Sequence, residues 1–120
     1  MADIVDIALS AEASGIADSI LEKGFFKNKS DVMTFAAAYM IKHYFDEFDP
    51  STYNQSDNDG SNYSYSTFDS DGKWSTLIKA LYPNTDTPNL LLRALMNQGL
   101  ISLSQRMEEE PEFSLLSEIN

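Results

Sequence analysis

The 120-residue chain has no cysteine. That excludes disulfides, thiolate nucleophiles and every cysteine-based zinc site. Basic residues are scarce: 8 Lys and Arg stand against 19 Asp and Glu, a formal net charge of −11. Such a surface repels phosphate unless its few cations gather on one face. His43 is the only histidine, which is thin support for a metal centre or for proton transfer. The five glycines stand singly at 15, 24, 60, 72 and 99, so no glycine-rich phosphate loop is present. No serine lies in a Gly-x-Ser-x-Gly context. No apolar run nears the ~20 residues of a membrane span. Asp3 and Asp6 stand where a secretory leader would be positively charged. These absences read as a soluble, cytoplasmic protein that is not an enzyme, carries no cofactor and has no membrane partner.

Apolar residues make up 42% of the chain, enough for a modest core that a partner subunit would enlarge. Three segments differ in composition. Residues 1–45 are apolar and periodic. Residues 46–72 are rich in Asp, Asn, Ser and Tyr, lack aliphatic side chains, and read as a long loop. Residues 73–120 are helical again and are expected to pack on the same domain. The acidity runs through the chain, and the middle segment contains no basic residue.

Ile4 to Leu9 alternates as a strand, with Val5, Ile7 and Leu9 on one face and Ile4, Asp6 and Ala8 on the other. A lone strand leaves its backbone groups unpaired. No second strand is evident nearby, so the economical mate is the same strand of another subunit. A helix over residues 11–22 follows, with Ile16, Ile20 and Leu21 at helical spacing beside Ala13 and Ala17. Gly24 suits a left-handed stop, and Phe25 and Phe26 are expected to plug the core. Asn28 is the candidate N-cap of a second helix reaching about Phe45, with Asp31 three residues on. Its Ala36-Ala37-Ala38 run admits a close neighbour. Trp74, Leu77, Ile78 and Leu81 trace one face of a short helix. Thr87 and Pro88 open a longer helix reaching about Glu109. Gly99 inside it marks a close crossing or a break. A break at Pro111 precedes a tail whose Phe113, Leu115, Leu116 and Ile119 are placed to dock.

The strand, the Leu21–Phe26 turn and the Lys27–Val32 entry to the second helix resemble the ribbon-helix-helix family of small DNA-binding dimers. The resemblance implies a mainly α-helical fold, an N-terminal strand paired across a homodimer or other even-numbered assembly, and a C-terminal helical extension. It places Asp6 on a groove-facing ribbon and assigns Lys27, Asn28, Lys29 and Ser30 to a phosphate grip at the amino end of the second helix. Asp6 departs from the family's chemistry, because a carboxylate does not pair with guanine's acceptors. The Phe35–Tyr39 segment is also similar to the small accessory protein of bacterial DNA sulfur-modification systems.

Two other chemistries have candidate residues. Asp57-Asn58-Asp59-Gly60 and Asp69-Ser70-Asp71-Gly72 each match part of a calcium loop but lack its closing Glu, and turn formation explains Asp-Gly equally well. Asp57, Asp59, Asp69 and Asp71 are thus the weak metal candidates. His43, with Asp46 and Glu47 one turn on, suits a base or a single ligand, against a structural imidazole. The leading expectation is a DNA-associated or regulatory dimer bound to duplex DNA. The competing one is an acidic interaction module that meets a basic protein. A cation-binding protein is third.

Overall fold

The computed structural model describes residues 2–110 and 112–119. Among them the chain is mainly helical, with one small antiparallel sheet. The order is β1 (Asp6–Ala8), α1 (Ala11–Leu21), α2 (Lys29–Tyr44), a 3-10 turn (Pro50–Thr52), β2 (Asn62–Ser64), α3 (Ser66–Asp69), α4 (Lys73–Leu81), α5 (Pro88–Glu109) and α6 (Leu115–Ile119). Met1, Pro111 and Asn120 lie outside the described residues, and with Pro111 the expected break in the tail.

Local chemistry sets most helix ends. Ser10 caps α1 by accepting from the Ala13 N–H at 3.1 Å. Gly24 follows α1 at φ 87°, the left-handed conformation that favours glycine. The Asn28 side chain accepts from the Asp31 N–H at 2.9 Å, the cap expected for α2. The start of α5 is different. Thr87 makes no side-chain cap, and Asp3 accepts from the Asn89 and Leu90 N–H groups at 2.8 and 3.1 Å. An acid 86 residues upstream thus satisfies the orphan donors and complements the helix dipole.

The core lies between α2 and α5, with α1 against both. Leu92, Leu95, Met96, Leu100 and Leu103 of α5 are buried against Val32, Met33, Ala36, Ala37 and Met40 of α2. Each large side chain among them contributes roughly 1.5–3 kcal/mol of burial. Gly99 is the close crossing: a Cβ there would collide with the Ala36 backbone. Asn97 is fully buried and satisfied. Its Oδ1 accepts from the Ser10 N–H at 2.9 Å, and its Nδ2 donates to the Ala8 and Arg93 carbonyls at 3.2 and 2.8 Å.

Four expectations are corrected. The strand covers only Asp6–Ala8, and its antiparallel mate is β2 of the same chain, in the register Asp6 to Ser64, Ile7 to Tyr63 and Ala8 to Asn62. Successive carbonyls of a strand point to opposite edges. On the edge away from β2, the Ile4 carbonyl accepts from Asn89 and the Ala8 carbonyl from Asn97 and Gln55. Second, residues 46–72 are not one loop but hold the 3-10 turn, β2 and α3. Third, Phe25 is exposed at 47%, so of the expected plug only Phe26 packs against the core. Fourth, of the expected α4 face Ile78 alone is fully buried, and Leu77 is exposed.

Candidate functional site

The residues proposed to grip phosphate are engaged locally. Lys29, 13% exposed, donates to the Ser14 hydroxyl at 2.7 Å and pairs with Asp18 at 2.8 Å. Its charge is matched within the chain. Asn28 Oδ1 takes both the Asp31 N–H and the Ser30 hydroxyl, the latter at 2.6 Å. Lys27 is exposed in the turn, and Asp6 is exposed on β1. The ribbon-like face therefore presents a carboxylate, and the grip presents one solvated cation.

The Asp-rich stretches have a structural role. Asp57 Oδ1 accepts from the Ala11 N–H at 2.8 Å, at the start of α1, and from the Asp59 N–H at 2.9 Å. These N–H bonds hold the Asp57 carboxyl below its ordinary value. Gly60 follows, so close to Ser10 and Ser14 that no Cβ fits. Asp69 is 5% exposed, and its two oxygens accept from the Trp74 and Ser75 N–H groups at 2.6 and 3.0 Å, capping α4. Asp71 accepts from the Lys73 N–H at 3.2 Å and pairs with its ammonium at 3.6 Å. Among the described residues no group of three or more His, Asp or Glu side chains is placed to hold a metal ion. The loop aromatics are used in part: Tyr63 packs edge-on against Phe68 and Tyr53 against Phe48, while Tyr65 stays exposed.

His43 meets Glu118, 75 residues away, at 2.9 Å. Glu118, 12% exposed, also faces Arg106 at 3.4 Å and Lys42 at 3.7 Å. The hydrogen bond from His43 and then the charges of His43, Lys42 and Arg106 hold the Glu118 carboxyl below its ordinary value, against burial. Arg106 also donates to the Tyr39 hydroxyl at 3.1 Å and lies 4.2 Å from the Phe113 ring centre. This cluster fastens the tail onto α2 and α5. Nothing near His43 in sequence points to Glu118.

An aromatic surface lies beside it. Phe25, Phe26, Phe35 and Trp74 line an open groove of about 580 Å³, with Lys27 and Asp31 at its rim. Phe26 and Phe35 pack with tilted rings whose centres lie 5.1 Å apart, and Phe25 stays outward. A second depression continues along α2 over Phe35 and Ala38 to Ile119. Both Phe25 and Phe26 are expected in the core from sequence, and only the structure shows that Phe25 stays outside.

Comparison of the chain with protein-family models, with curated proteins and with solved structures returns no match.

Proposed function

We propose that this protein is an acidic interaction module whose aromatic groove docks a basic, apolar-anchored segment of a partner protein. The observation that carries this reading is the groove of Phe25, Phe26, Phe35 and Trp74 on a chain of net charge −11. One exposed aromatic, Phe25, among half-buried ones in an open groove is the kind of anchor that interfaces use. The surrounding charge steers cationic partners toward it and disfavours acidic ones. Trp74 is the only tryptophan, so its emission reports the groove directly. The test is a titration with an amphipathic peptide of Lys and Leu, against a Glu and Leu peptide of the same pattern. Saturable change of Trp74 emission with the basic peptide alone, weakened about tenfold by Phe25→Ser, supports the reading. Equal response to both peptides, or no response, overturns it.

A second reading keeps the ribbon-helix-helix-like, DNA-associated dimer. The order β1, α1, Gly24 turn, α2 over residues 6–44 favours it. It expects salt-sensitive binding of duplex DNA in an anisotropy titration at ~50 mM salt and an even-numbered mass by light scattering. No DNA binding together with a monomeric mass would remove it.

A further inference from the structure

We infer that the aromatic groove and the depression beyond it form one site with two compartments, which takes a basic helix bearing apolar anchors four residues apart. This inference rests on the docking reading above and names the form of the partner segment. The observation behind it is a repeat along α2. From that helix the first compartment is lined by Asp31, Thr34, Phe35 and Ala38, and the second by Phe35, Ala38, Tyr39 and Lys42. Each position in the second set lies four residues after its counterpart in the first, and Phe35 and Ala38 belong to both. Four residues rise about 6 Å along a helix axis.

Side chains at i and i+4 of a second helix stand one above the other at the same interval. A helix laid along this face of α2 therefore offers one anchor to each compartment. The opposite face of α2 is already used, since Val32, Met33, Ala36, Ala37 and Met40 are buried in the core. On the free face Ala38 is exposed, and its single methyl group lets a second axis approach to the about 8–10 Å of helix packing. A backbone laid on a helix finds no free N–H or C=O to pair with. The occupant has to satisfy its own groups, as a helix does and an extended segment does not.

The two compartments have different outer walls. Phe25, Phe26 and Trp74 close the first, and Ile119 of α6 closes the second, which encloses about 260 Å³. Glu118 fastens the tail to His43 and Arg106, while the neighbouring Ile119 stays 37% exposed. The tail is thereby a fixed wall with an apolar side chain left to bury. Each compartment is lined by one lysine and one acid, Lys27 with Asp31 and Lys42 with Glu118. These charges offset, so the net −11 of the chain sets the sign of the partner. It favours a basic helix and repels a second copy of this chain.

The experiment titrates the full ¹⁵N-labelled chain with lysine- and alanine-rich peptides of about 18 residues, long enough to hold a helix. One carries leucines at i and i+4, one the same leucines at i and i+2, and one a single leucine. Trp74 emission reads the first compartment, and the amide shifts of residues 115–119 read the second. The i, i+4 peptide is expected to bind about tenfold tighter than either of the others and to bring both signals to saturation together. Ile119→Ser, at an exposed position, should remove that advantage and leave the affinity for the single-leucine peptide unchanged. Unchanged amide spectra elsewhere check that this variant keeps its fold. No binding by any peptide overturns the docking reading and this inference with it. Binding without an i, i+4 advantage, or an advantage that survives Ile119→Ser, overturns the inference alone. A dimer by light scattering that the i, i+4 peptide dissociates would make a second copy the occupant and would also overturn it.

Discussion

The α2–α5 pair and the 46–72 segment are both ordered, and they are held by opposite means. The helix pair is joined through aliphatic side chains and a near-contact of backbones at Gly99 and Ala36. Its stabilisation is non-directional and distributed over many methyl and methylene groups. The middle segment has almost no aliphatic material to bury. It is pinned by directional bonds at a few points: Asp57 to the start of α1, Gly60 N–H to the Leu9 carbonyl at 2.9 Å, and Ser61 to Ser14 at 3.1 Å. A composition that suggests disorder can therefore be ordered where polar side chains find fixed backbone partners. The two regions should also fail differently, the first globally and the second locally.

The largest expected effect tests the helix pair. Gly99→Val forces a branched side chain into the Ala36 backbone and should cost about 3 kcal/mol, read as a lowered urea midpoint for the whole chain. An unchanged midpoint would mean that the crossing tolerates separation. Next comes Asn97→Leu, which strips a partner from the Ser10 N–H and the Ala8 carbonyl inside the core. It should cost about 2 kcal/mol and, unlike the glycine change, should also speed hydrogen exchange along β1.

Asp57→Ala removes the acceptor shared by the Ala11 and Asp59 N–H groups. The loss should appear as faster exchange over residues 57–65 while α2 and α5 stay protected. If the helices open equally, the middle segment is not a separate unit and the contrast above fails. The smallest effect concerns the tail. Glu118 titrates below its ordinary value of 4.5, so its contribution is fully present above pH 4.5 and is lost as the pH falls through the lower folded value. Exchange at residues 115–119 should quicken on that acidification by an amount worth less than about 1 kcal/mol. Glu118→Gln should abolish the pH dependence.

How much of this was legible depended on distance along the chain. Asn28 as a cap, Gly24 as a stop, Pro88 at a helix start and the small residues at a helix crossing are signals within a few positions of what they cause. β2 was invisible because Asn62-Tyr63-Ser64 is short and lacks apolar alternation. Its pairing follows from where Asp57 and Gly60 dock. The Asp3 cap on α5, the buried Asn97 and the His43–Glu118 pair join residues 75 or more positions apart, and no local pattern announces them. The same holds for the aromatic groove. Phe25 and Phe26 read as a core plug, and Trp74 joins their surface only through packing.

By itself the amino-acid order determined α1, α2, α4 and α5, most of their ends, the acidic character and the want of cysteine chemistry, because propensity, capping and charge act on neighbours. Only the three-dimensional arrangement decided what pairs with β1, where the carboxylates go and which aromatics stay outside. Those outcomes depend on groups brought together after the chain has paid its loop entropy, and that information is not contained in any local window.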